Sequence, residues 1–125
     1  MSLAALGALV AVGGAAGALG RFLVGLAAAS VFGAAWPFGT LIVNVAGSFA
    51  IGIVASGPWA SETVRAFVVT GVLGGFTTFS AFSLETVRLL EAGRASAALA
   101  YVAASVVVCL LAAFLGFLVA RVFPA

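Results

Sequence analysis

Apolar residues run along this chain in four long stretches, and the few polar positions either punctuate their ends or recur within them at helical spacing. A helix needs about 20 mostly apolar residues to cross the hydrocarbon core of a bilayer. The first stretch extends from about Leu3 to Ser30, with one charge, Arg21, in its second half. The second runs from Trp36 or Pro37 to Ala55. Pro37 suits a first helical turn, where a missing N–H costs nothing, and Ser56-Gly57-Pro58 reads as a stop and turn. The third, Ser61 to Leu90, opens on an N-cap serine followed by Glu62 and Arg65. The fourth runs from Ala95 to Val122, between Glu91-Ala92-Gly93-Arg94 and Pro124. This pattern predicts an all-α membrane protein of one domain, residues 1–125, with transmembrane helices over about 3–30, 36–55, 61–90 and 95–122. Three spans with one surface helix is the rival arrangement, but no segment has the strongly charged face an interfacial helix needs.

The third stretch is about 45 Å long if helical throughout, too long for one upright span. Near its middle stand Gly71, Gly74 and Gly75, followed by Thr77-Thr78-Phe79-Ser80. Glycine tolerates backbone angles that other residues resist. Unwound backbone at membrane depth survives only when buried in protein or facing a polar cavity, and broken transporter helices use freed carbonyls to hold sodium. Residues 74–78 therefore read either as a carbonyl site for a buried cation or as a kink filled by neighbouring side chains.

Composition narrows the class. Two-thirds of the residues are hydrophobic and only 6% are charged, five arginines against three glutamates. A soluble domain carries about 25% charged residues, so the solvent for most of this surface is lipid. Histidine is absent and Cys109 is the single cysteine, which excludes an intrachain disulfide and a Cys/His metal site. No nucleophile has a base beside it, which argues against an enzyme, and no basic patch points to nucleic acid. The start, Met-Ser-Leu-Ala-Ala, lacks the basic residues of a secretory signal and is read as part of a retained span.

Four spans place both termini on one side, with Glu62, Arg65 and Arg121; Arg88, Glu91 and Arg94 lie on the other, with Arg21 near it. Basic residues are nearly balanced, so the positive-inside rule barely orients the chain. A weakly biased single topology and insertion in both orientations stay equally open on charge alone. Small residues four apart (Gly13 and Gly17, Ala16 and Gly20, Ser48 and Gly52, Gly52 and Ser56) allow close helix approach in lipid. Some of these pairs must serve packing within one subunit. Four helices do not easily wall off a polar path alone, which favours a dimer.

Polar residues within the spans line up. Thr40, Asn44 and Ser48 share one face of the second span, and Tyr101, Ser105 and Cys109 share one of the fourth. In the third, Phe79, Phe82 and Ser83 share a face, with Glu85 three residues beyond Phe82. Intramembrane polar residues are candidates for function, although a lone Ser or Thr commonly bonds back to its own helix. Asn44 cannot satisfy its amide so cheaply, so an interhelical bond and a functional role stand side by side for it.

Three segments, in order, resemble a known family. Gly74-Gly75-Phe76-Thr77-Thr78-Phe79-Ser80-Ala81-Phe82-Ser83-Leu84-Glu85 resembles the signature of the Fluc (CrcB) fluoride channels. Gly13 to Arg21 is similar to the family's first helix and Gly39 to Phe49 to its second. The resemblance covers essentially the whole chain. It implies a fluoride-selective channel that exports fluoride passively from the cytoplasm, built as an antiparallel, dual-topology homodimer in the cell inner membrane with two pores. It further implies a structural sodium ion at the dimer centre, held by backbone carbonyls at Gly74 and Thr77 of the broken third helix. The pore phenylalanines fall on Phe79 and Phe82, the pore asparagine on Asn44, and the polar track on Thr40, Ser83, Glu85, Tyr101 and Ser105. The vestibule arginine falls on Arg21. Cys109 stands where a relative would carry serine, a stronger donor.

Fluoride is small and strongly hydrated, so a low-dielectric path must replace its water with donors. Asn44, Ser83, Ser105 and Tyr101 offer N–H and O–H groups, and aromatic ring edges add a weak positive contribution. The chain has no lysine, whose full charge inside a pore would hold the ion too tightly to release. Two other classes remain. A small proton-coupled multidrug exporter needs a carboxylate in its first span, and none is present there. A structural subunit of a membrane complex would explain the glycines but not the polar stripes.

Overall fold

The computed structural model describes residues 1–125. Five helical elements form four membrane-length segments. Helix α1 covers Leu3–Phe32 and α2 covers Phe38–Ser56. Helix α3 (residues 62–76) is continuous but not uniform, with Glu62–Val64, a π-helical stretch Arg65–Leu73 and Gly74–Phe76 in succession. Helix α4 covers Phe79–Glu91 and α5 covers Ala95–Ala120. All four segments, α3 and α4 counting as one, are long and apolar enough to cross a membrane.

Local chemistry sets the ends. The Ser2 hydroxyl accepts from the Ala5 N–H at 3.1 Å, and Ser61 accepts from Val64 N–H at 3.2 Å, each capping an orphan donor of a first turn. Pro37, with no N–H to lose, stands immediately before α2. Gly33 ends α1 at φ 76° and Gly93 turns the chain between α4 and α5 at φ 74°, the left-handed region glycine enters without penalty.

Two seams of small residues hold the bundle. Along the first, α1 lies against α3: a Cβ on Gly13 would meet the Phe67 carbonyl, one on Gly17 the Val72 carbonyl, and one on Gly75 the Gly14 carbonyl. Along the second, α2 lies against α5, where Gly52 faces the Ala113 carbonyl and Gly116 faces the Phe49 carbonyl. Backbones this close gain dispersion contacts that lipid tails cannot match. Gly13, Gly17 and Gly52 are thus consumed inside the subunit. Little else is enclosed: Val43 and Tyr101 are the large side chains fully buried, and most apolar side chains face outward.

The interruption of the third span falls at Thr77 and Thr78, both extended (φ −87°, ψ 158° and φ −154°, ψ 119°). Glycine freedom does not produce it. Gly74 is helical (φ −62°, ψ −37°), and Gly75 is small because α1 passes against it. Thr77 still bonds back to the Leu73 carbonyl, through its N–H at 3.0 Å and its hydroxyl at 2.8 Å, whereas Thr78 is held from outside, by α2.

Candidate ion pathway

Asn44 of α2 holds the break. Its Nδ2 donates to the Thr78 carbonyl at 3.0 Å, and its Oδ1 accepts from the Thr78 N–H at 2.8 Å. In a continuous helix that N–H would go to the Gly74 carbonyl. The Thr78 hydroxyl accepts from Ala81 N–H at 3.1 Å and so caps α4, taking the donor that a continuous helix would give the Thr77 carbonyl. The carbonyls of Gly74 and Thr77 are thereby released from their helical partners. Neutral, freed backbone oxygens are the donor set that sodium takes at broken membrane helices, so these two positions fit such an ion. No cluster of three His, Cys, Asp or Glu offers a competing site.

The break opens onto a groove of about 450 Å³ between α2, α3, α4 and α5. Asn44 and Ser48 line it from α2, Ser105 and Cys109 from α5, Thr77 and Thr78 from the break, and Phe79 and Phe82 from α4. Two of the three residues of each stripe, Asn44 and Ser48 on the second span and Ser105 and Cys109 on the fourth, therefore meet across one groove, while Thr40 lines the second cavity. Ser105 is buried, with 7% of its surface exposed. The Phe79 and Phe82 rings lie 5.4 Å apart at 55°. Phe82 is enclosed, whereas Phe79 is 78% exposed.

A second cavity of about 300 Å³ lies on the other side of Thr78, lined by Arg21, Phe22, Gly39, Thr40, Glu85 and their neighbours. Arg21 reaches the break itself: its Nε donates to the Gly75 carbonyl at 3.0 Å. The Glu85 carboxylate is held at both oxygens, by the Thr40 hydroxyl at 2.7 Å and the Tyr101 hydroxyl at 2.8 Å. Tyr101 in turn stacks at 5.2 Å from Phe82 on one side and 5.2 Å from Trp36 on the other, so Glu85 and the groove share one aromatic wall.

Ser83 is not brought to either cavity. It is exposed, and its hydroxyl donates to the Phe79 carbonyl of its own helix at 2.9 Å. The reason is geometric: with Phe82 turned inward against Tyr101, the next residue is carried some 100° around the helix. Two residues outside the expected set belong to the walls. Ser48 was legible as the third member of its stripe. Thr78 was legible as part of the break, but its pairing with Asn44, a residue 34 positions away, was not, because nothing local marks it.

The family described as CrcB-like protein, Camphor Resistance (CrcB), matches residues 8–117. A protein of Caulobacter vibrioides named fluoride-specific ion channel FluC is 50% identical over 118 residues, covering 90% of this chain and 93% of the relative. One of Rhizobium meliloti with the same name is 50% identical over 117 residues, covering 90% and 94%. Fluoride-specific ion channel FluC 1 of Rhodopseudomonas palustris is 50% identical over 123 residues, covering 94% and 87%. Matched along nearly its whole length, and with four helices able to span a bilayer, the chain belongs to the CrcB family.

Proposed function

We propose that the chain is a fluoride-selective channel that lets the ion leave the cytoplasm passively, working as an antiparallel, dual-topology homodimer in the inner membrane with two pores. The observation that carries this reading is the groove in which hydrogen-bond donors from α2 and α5 face the paired rings of Phe79 and Phe82. Relatives at 50% identity bear the name of fluoride-specific channels.

The physics runs from desolvation. An anion stripped of water in low dielectric faces a penalty of tens of kcal/mol on a Born estimate, so each lost water needs a replacement. Ser105, Ser48, Cys109 and the remaining N–H of Asn44 supply donors, and ring edges of Phe79 and Phe82 supply positive density without full charge. Weak, serial contacts allow entry and release, and a narrow wall rejects larger halides. Arg21 and the hydroxyl-held Glu85 set the charge balance of the second cavity. Phe79, exposed on the protomer, gains its enclosing wall from a second copy. The freed carbonyls of Gly74 and Thr77 would hold a sodium ion, whose charge would offset the dipoles aimed at it.

Purified protein in liposomes tests this. Fluoride efflux is expected to be fast, with chloride at least 100-fold slower. Equal rates for the two halides would overturn the assignment.

A further inference from the structure

Asn44 faces the groove, yet most of its hydrogen-bonding capacity is already committed. An amide side chain has one acceptor oxygen and two donor hydrogens. The oxygen and one hydrogen go to the two backbone groups of a single residue, Thr78, at 2.8 and 3.0 Å. This is the complementary pairing that one peptide unit offers another, supplied here by a side chain. It comes where the chain is extended and has no strand to pair with. Thr78 also lines both cavities, so whatever fixes its backbone fixes the wall between them.

We infer that Asn44 is a positioning residue: its amide replaces the helical hydrogen bonds that Thr78 gives up, and thereby sets the partition between the groove and the second cavity. The same bracket fixes the start of α4, and with it Phe79 and Phe82, and determines that the Gly74 carbonyl loses its helical donor. A backbone N–H and C=O left unpaired at membrane depth would each carry the full cost of desolvation, so the segment cannot hold this shape without the amide. The role is independent of which ion passes.

Amide hydrogen exchange on the full-length protein in detergent tests the inference. Asn44→Ala removes the acceptor, and the Thr78 amide is expected to exchange at least about tenfold faster, the change confined to residues around the break. Ser48→Ala, one turn along the same face, is expected to leave that amide as in the wild type. Asn44→Asp gives a sharper signature. A neutral carboxylic acid donates through its O–H and accepts through its carbonyl, so it restores both bonds; the ionised form only accepts and repels the Thr78 carbonyl. The exchange rate of Asn44→Asp relative to wild type at the same pH should approach one in acid and rise as the acid ionises. The other ionisable groups lining the two cavities are Arg21 from α1, Glu85 from α4 and Cys109 from α5, and all three are present in wild type and variant.

Unchanged Thr78 protection in Asn44→Ala would overturn the inference. If that variant exchanges faster everywhere because it has not folded, the Asp variant decides, and a ratio flat with pH would overturn it. A wild type that passes no fluoride would defeat the proposed channel while leaving the exchange result standing.

Discussion

Tyr101 is wholly enclosed, and its hydroxyl is spent on Glu85 at 2.8 Å while its ring braces Phe82 at 5.2 Å. Tyr101→Phe separates these two jobs. It keeps the ring and removes one of two donors to the carboxylate, a bond to a charged group contributing about 1.5–3 kcal/mol. The expected outcome is a folded protein with a thermal midpoint lowered by several degrees and a clear loss of fluoride flux, read by scanning fluorimetry and liposome efflux. Flux at the wild-type level would separate Glu85 from the path. The phenylalanines divide differently. Phe79→Ile changes a ring that is 78% exposed, so the protomer should keep its stability and lose flux by tenfold or more. Phe82→Ile strikes a buried ring stacked on Tyr101 and should lower both. Equal thermal midpoints with unaltered flux in both variants would make the rings ordinary packing.

Helices approach as closely as their glycines allow, and this is the feature most open to a single substitution. A Cβ on Gly17 would overlap the Val72 carbonyl and one on Gly52 the Ala113 carbonyl, whereas a Cβ on Gly7 meets nothing within 4 Å. Gly17→Ala and Gly52→Ala are expected to destabilise by at least about 1–3 kcal/mol, the usual cost of overpacking, while Gly7→Ala should be neutral or gain about 0.5–1 kcal/mol of helix propensity. Thermal midpoints in one detergent check this, and a Gly17 variant as stable as the Gly7 variant would dissolve the seam. The spacing of Gly13 and Gly17 was legible in the sequence, as were the four apolar runs and the Ser61 cap, because each is a local pattern. The partners were not. A small-xxx-small pair marks a face but not the helix opposite it, so nothing local told that Gly52 meets α5 rather than a second subunit. The break shows the same limit: Gly74-Gly75 drew attention to the right turn, but the unwinding falls at Thr77 and Thr78, where a bond from Asn44 competes successfully with the helix.

The molecule as a whole carries its charges almost evenly. Arg65 and Arg121 belong to the end that holds the termini, and Arg88 and Arg94 to the other. Orientation in the membrane follows Lys and Arg near span ends, so a balanced chain has no strong reason to choose. The chain alone also leaves Phe79 exposed and the groove open on one side, and in the proposed antiparallel dimer a second copy would close it. Both observations meet in one prediction. Three lysines added after Ala125 should fix the termini in the cytoplasm, since the surplus would lie within reach of the last span. In a Cys109→Ser background, a cysteine placed at Ser2 is then expected to react with an impermeant reagent from both faces of the membrane in the unmodified chain, and from the cytoplasmic face alone in the lysine-tagged one. If pores form only between opposed copies, the tagged chain should lose most of its fluoride flux, and co-expression with a chain biased the other way, by arginines in the Glu91–Arg94 turn, should restore it. Full flux from a chain of one proven orientation would show that parallel copies, or single ones, enclose the path.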